Sequence, residues 1–127
     1  MDKTIVMSKD APAPIGPYSQ AVKAGNTLYI SGQIPFDQIT GEMINENITE
    51  ETHQVMKNIE AILSSAGMSF ENIVKCSIFI KDMNQFSAIN EAYGVYFKSN
   101  PPARETVEVA RLPKDVNVEI SCIAVDL

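Results

Sequence analysis

The chain of 127 residues has no tryptophan, one histidine, two cysteines and six glycines. Each scarcity removes a class of chemistry. His53 alone cannot supply a multi-histidine metal site, and any Ser-His-Asp triad would have to use it. It falls at the start of a helical pattern among polar neighbours, where solvent is its expected partner. Cys76 and Cys122 fit no CxxC or zinc spacing and read as free thiols of a reducing compartment. The glycines are scattered, so no phosphate-cradling loop is present. No apolar run approaches the about 18–20 residues that cross a bilayer. The first residues lack the basic flank and apolar core of a secretion signal, which makes the cytoplasm the expected location. Basic residues are also few: 10 Lys and Arg stand against 16 Asp and Glu, a net charge of −6. Nucleic acid, which usually requires a basic face, is not an expected partner.

What remains is an ordinary globular composition, 45% hydrophobic and 20% charged. It suits one domain with a real core. Residues 4–7 read as a short edge strand, followed by an irregular segment with Pro12, Pro14, Gly16 and Pro17. Residues 19–23 and 27–34 read as strands joined by a turn at Ala24-Gly25-Asn26. Gly32 inside the second of these predicts a bulge or a close backbone approach. Residues 36–47 read as a loop turning at Thr40-Gly41-Glu42. Thr49 is the expected N-cap of a helix whose apolar stripe is Val55, Met56, Ile59, Ile62, Leu63 and Ala66, with Gly67 as its stop. Residues 73–81 alternate as a strand, with Val74, Cys76, Ile78 and Ile80 on one face. Asn84 is the expected cap of a second helix over residues 85–98. A strand from Arg104, a turn at Lys114-Asp115 and a last strand over residues 117–125 complete the order β-β-β-α-β-α-β-β.

Two helices cover one face of such an α+β sheet. The other face then carries Tyr29, Ser31, Gln33, Phe79, Thr106, Glu119, Ser121, Ile123 and Val125. It is too apolar for water and too polar for a core. This predicts packing against sister chains in a closed ring with clefts between them.

The candidate chemistry starts at Pro102-Ala103-Arg104. Two prolines stiffen the approach to a strand that carries a permanent guanidinium at its mouth. Such a group suits a planar carboxylate, or else pairs with Glu105 or Glu119. Asn90 lies on the Phe86–Tyr93–Phe97 helical stripe and either ties that helix to a loop or lines a pocket. Glu119 alternates against Val118 and Ile120. It is either a surface carboxylate or, in a dry cleft, a group that orients a water. Tyr18 follows Gly16-Pro17 on a stiff loop suited to a pocket wall, and Ser31 adds a hydroxyl.

Taken together, Ile15-Gly16-Pro17-Tyr18-Ser19-Gln20, Ser31-Gly32-Gln33-Ile34-Pro35, Thr40-Gly41-Glu42, Pro102-Ala103-Arg104 and the run from Val107 through Asp115, followed by Val118-Glu119-Ile120, closely resemble the Rid (YjgF/YER/UK) family. The similarity runs from Thr4 to Val125 and is greatest to the RidA branch, the reactive intermediate (imine/enamine) deaminases. The resemblance implies a chorismate-mutase-like fold, a homotrimeric barrel with intersubunit clefts, and hydrolysis of 2-imino acids such as 2-iminopropanoate to 2-keto acids and ammonia. No cofactor or metal is implied. Arg104 matches the family's carboxylate-binding arginine and Glu119 its water-associated glutamate. Tyr18, Ser31 and Asn90 match pocket residues, and backbone groups around Thr106 are expected to contact the substrate's nitrogen-bearing end. Three positions depart from the pattern. Thr106 replaces a frequent cysteine, Glu105 a small residue and Pro101 an aromatic.

Overall fold

The structure is a computed structural model and describes residues 2–127. The strands are β1 (Lys3–Val6), β2 (Ala21–Ala24), β3 (Thr27–Gln33), β4 (Phe36–Asp37), β5 (Glu42–Met43), β6 (Ile73–Ile80), β7 (Ala103–Glu108) and β8 (Val118–Val125). Two α-helices, α1 (Ile48–Ser65) and α2 (Phe86–Gly94), fall between β5 and β6 and between β6 and β7. Six strands form one sheet in the order β1-β2-β3-β8-β6-β7. All neighbours are antiparallel except β6 and β7, which are parallel and joined through α2. The architecture is the expected α+β one. One addition lies in the expected loop: β4 and β5 pair as a short hairpin around Gly41, whose φ of 75° glycine adopts without strain.

Helix α1 begins earlier than expected. Its N-cap is Asn47, not Thr49; the Asn47 side chain accepts the Glu50 N–H at 2.9 Å. Asparagine in extended backbone caps as well as threonine does. The helix ends as expected. Gly67 takes φ 71°, its N–H reaches the Ser64 carbonyl, and the Met68 N–H reaches the Leu63 carbonyl. That is the Schellman arrangement. Val55, Met56, Ile59, Ile62 and Leu63 are fully buried against the sheet. Helix α2 is shorter than residues 85–98. It stops at Gly94, yet Phe97 still packs on Tyr93 with ring centroids 4.8 Å apart. A turn supplies the contact that helical spacing led one to expect. Asn84 is not its cap; Asp82 instead caps the preceding short turn by accepting the Asn84 N–H.

Three side chains lie on other faces than strict alternation predicts. The β3–β8 register shifts between Ile30 and Gln33, and Gln33 turns inward to 4% exposure. The β6–β8 register shifts between Ile73 and Lys75, so Ile73 is buried and Val74 is exposed. A bulge inserts one residue and reverses the parity beyond it. Thr106 is the third. On β7, Arg104 sits beside Cys76 and Thr106 beside Ile78, both core residues. Arg104 and Thr106 therefore face α2, while Glu105 and Val107 share the open face with Ser77 and Phe79.

The open face is apolar along one row, where Ile5, Val22, Tyr29 and Ile123 are cross-strand neighbours. Ile5 and Tyr29 are each 51% exposed.

Candidate ligand site

Arg104 enters β7 directly after Pro101 and Pro102, and α2 holds its side chain. Its Nη1 donates to Asn90 Oδ1 at 2.6 Å. Its guanidinium carbon lies 5.2 Å from the Tyr93 ring centre and 5.7 Å from that of Phe86. Cation–π contact and a hydrogen bond together fix the plane of the fork. Neither Glu105 nor Glu119 is its partner. Glu105 bonds instead to the Ser77 hydroxyl and to Lys75 Nζ at 3.0 Å. The Ser77 hydrogen bond and then Lys75 hold its carboxyl below the usual range. The acidic neighbour of Arg104 is thus turned to the other face and neutralised there.

A cavity of about 340 Å³ adjoins Arg104, walled by Asn90, Tyr93, Phe97, Pro101 and Pro102. Behind it, the Tyr93 hydroxyl and Thr106 Oγ1 are buried and unpartnered among the described residues. Burial, and then the adjoining Cys76, push the Tyr93 hydroxyl far above its ordinary pKa.

Glu119 lies on the opposite face, beside Phe79. It is half-buried, and that burial raises its carboxyl pKa. Gly32 makes room for it. A Cβ on Gly32 would lie 2.4 Å from Glu119 Oε2 and 2.8 Å from its Cδ. The predicted close approach is thus between the β3 backbone and this carboxylate. Next to Gly32, the Ser31 hydroxyl donates to the Ser19 carbonyl at 2.6 Å, and the Ser31 N–H donates to the Gln20 carbonyl at 2.9 Å. Ser31 therefore pins the loop that carries Tyr18. The Tyr18 ring is half exposed, and its hydroxyl accepts the Ile15 N–H at 3.4 Å. A second cavity of about 340 Å³ is lined by Ile15, Tyr18, Gly32, Gln33 and Phe36, with Lys114 at its edge.

The candidates thus form two groups. Arg104, Asn90 and Thr106 gather on the helix side of β7; Tyr18, Ser31 and Glu119 gather around β3 and the open face. One chain does not bring the two groups together. A larger cavity, about 420 Å³ beside Phe70, Tyr96 and Phe97, contains none of them. Among the described residues, no cluster of three or more His, Cys, Asp or Glu side chains is placed to hold a metal ion. His53 is not simply solvated, since its Nδ1 lies 2.7 Å from the Tyr96 hydroxyl.

Two supporting residues escape a reading by periodicity. Gln20 is 2% exposed; its Oε1 accepts the Ser8 N–H and its Nε2 donates to the carbonyls of Ser8 and Pro12. It clips the proline-rich segment onto the sheet. Glu51 on α1 is 1% exposed and accepts both the Asn117 backbone N–H and its side-chain amide. It fixes the chain two residues before Glu119. Polar residues at buried strand and helix positions are the signal that could have exposed both.

Comparison with known proteins agrees with this architecture. The family model described as Endoribonuclease L-PSP matches residues 8–126. A RutC family protein of Pyrococcus horikoshii is 52% identical over 122 residues, covering 96% of this chain and 97% of its own. The human 2-iminobutanoate/2-iminopropanoate deaminase is 44% identical over 123 residues, covering 97% and 90%. A solved structure of a Rid family protein of unknown function from Yersinia pestis superposes with a TM-score of 0.95 at 47% identity, covering 98% and 100%. The chain belongs to this Endoribonuclease L-PSP family, the Rid proteins, and within it is RidA-like.

Proposed function

We propose that the protein is a homotrimeric deaminase that hydrolyses 2-imino acids, and the enamines that give rise to them, to 2-keto acids and ammonia. The observation that carries this reading is the fixed guanidinium of Arg104, braced by Asn90 and Tyr93 beside an open cavity. A 2-imino acid presents a carboxylate next to an electrophilic C=N carbon. Arg104 takes the carboxylate in its fork. The separation of the two residue groups supports a cleft between chains, with Arg104 from one and Glu119 with Tyr18 from the next. The apolar open face supports the same assembly.

A water held by Glu119 adds to the imine carbon, and the carboxylate takes its proton. The proton passes to nitrogen, the C–N bond breaks, and ammonia leaves the 2-keto acid behind. A protonated imine is already electrophilic, so positioning supplies most of what is needed. The raised pKa of Glu119 suits a base more than an ordinary surface carboxylate would. An acidic chain with a net charge of −6 weighs against nuclease activity, whatever the family model is called.

The test generates 2-aminoacrylate with a serine dehydratase and follows pyruvate release. The protein should speed release, and Arg104→Ala should remove most of the gain. Unchanged release together with tight keto-acid binding would point to a sensor instead. A solution mass equal to one chain at micromolar concentration would sink the trimer.

A further inference from the structure

The proposed chemistry leaves one buried reactive pair unused. Cys76 on β6 and Cys122 on β8 are directly opposite in antiparallel register. Both face the helix-covered core, at 0% and 3% exposure, and their Sγ atoms are 3.4 Å apart. They are the chain's two cysteines. Opposed residues on antiparallel strands hold their Cα atoms about 4.5–5.5 Å apart, inside the range of about 4.4–6.8 Å that disulfides use. A bond requires the sulfurs to close to about 2.0 Å.

The two thiols are not equivalent. The hydrogen bond between the sulfurs lowers the pKa of Cys76, whereas that same bond and burial raise Cys122. Tyr93 covers the pair from α2. It belongs to the same buried cluster as both cysteines, and its ring both lines the cavity at Arg104 and stacks 5.2 Å from the guanidinium. Tyr93 is the side chain common to that cavity and to the buried cluster that holds both cysteines, so an oxidant's route to Cys76 would pass its ring. Cys76 is also the cross-strand neighbour of Arg104. Movement of its sulfur is therefore felt at the strand and ring that set the guanidinium.

The geometry points to a modification site: Cys76 and Cys122 join as an intrachain, cross-strand disulfide on meeting a peroxide, and the bond weakens carboxylate binding at Arg104. The Cys76 thiolate attacks one peroxide oxygen, the O–O bond breaks, and hydroxide leaves to become water. Cys76 is then a sulfenic acid. The Cys122 sulfur attacks it, the S–O bond breaks, and a second water leaves. Two thiols have been oxidised and one hydrogen peroxide reduced. Dithiothreitol reverses the bond.

The effect on binding rests on the anchor role of Arg104 proposed above; the bond itself does not. The test treats the reduced, assembled protein with hydrogen peroxide, quenches it, and unfolds it with N-ethylmaleimide. The expected chain is lighter by two hydrogen atoms, carries no maleimide, and runs as a single chain without reductant. Cys76→Ala and Cys122→Ala each abolish that mass loss. Two alkylated cysteines in a sample whose exposed Met7 and Met83 are oxidised would overturn the proposal. Bridging between chains, or sulfinic acid in place of the disulfide, would overturn it as well. Calorimetry with pyruvate should then show affinity at least about tenfold weaker in the oxidised form and restored by dithiothreitol, tenfold being about 1.4 kcal/mol. Equal affinities would sever the link to Arg104. Absence of pyruvate binding by the reduced protein would count against the proposed function, while the mass would still decide the disulfide.

Discussion

Substituting alanine for Gly32 tests the proposed role of Glu119 without touching that residue. The new Cβ would stand 2.4, 2.8 and 3.1 Å from Glu119 Oε2, Cδ and Cγ. Ordinary carbon contacts begin near about 3.5 Å, so the carboxylate must retreat by roughly 1 Å. It can do so, because Glu119 is a flexible and half-exposed side chain. The stability loss should therefore sit near the low end of the about 1–3 kcal/mol typical of overpacking. Catalysis should suffer more. Misplacing a reacting group by about 1 Å costs on the order of 100-fold, equivalent to about 2.7 kcal/mol of barrier. The assay pairs urea denaturation with kcat/KM for pyruvate release from 2-iminopropanoate. In a Glu119→Gln background, Gly32→Ala should add little, because both changes act on one group. Full kcat/KM in Gly32→Ala, or additive losses in the double variant, would refute the proposed role of Glu119 and its dependence on Gly32.

Burial raises the Glu119 pKa, so activity should fall on the acid side with a midpoint above that of an ordinary carboxyl, measured as kcat/KM against pH. The sign for stability is opposite: the folded state binds this proton more tightly than the unfolded state does, so the Glu119 contribution favours folding at low pH and is lost as pH rises through the folded pKa. Glu119→Gln should then lose most but not all of its turnover yet be no less stable at neutral pH, which denaturation against pH checks. Asn90→Ala frees the Arg104 fork and should raise KM roughly tenfold with a smaller change in kcat, since a charge-assisted hydrogen bond contributes about 1.5–3 kcal/mol. Glu51→Ala leaves the Asn117 N–H without its acceptor; the expected loss is about 1–3 kcal/mol in urea denaturation.

Much of the fold was legible because it rests on local patterning. Alternation located β3, β6 and β8, helical spacing located α1, and Gly67 and Gly32 each announced a backbone requirement. Parity carried less far. The bulges at residues 31–32 and at Val74 reverse it, and they depend on how neighbouring strands pair, which no single strand encodes. The facing of β7 failed for the same reason. Its own alternation separates Arg104 from Glu105 correctly, but only the register with β6 decides that Arg104 and Thr106 look toward α2. The candidate residues were legible as a set through the family resemblance. Their division into two groups on opposite faces was not, since it is a property of the sheet. Gln20 and Glu51 stand as polar residues at buried positions, but sequence spacing does not name their partners, which are distant groups of the chain.

The parallel pairing of β7 also bears on which part of the protein opens first. Among the described residues β7 has a single neighbouring strand, β6, which it reaches across the α2 crossover, whereas β6 and β8 are each paired on both sides. A parallel ladder is slightly weaker per residue than an antiparallel one, and an edge strand held on one side opens more easily than a central strand. Native-state hydrogen exchange should therefore find β7 amides less protected than those of β6 and β8, and equal protection would contradict this. A chain that opens at β7 keeps the rest of its sheet yet loses the strand that carries Arg104, so the capacity to hold a carboxylate would be lost before the fold is.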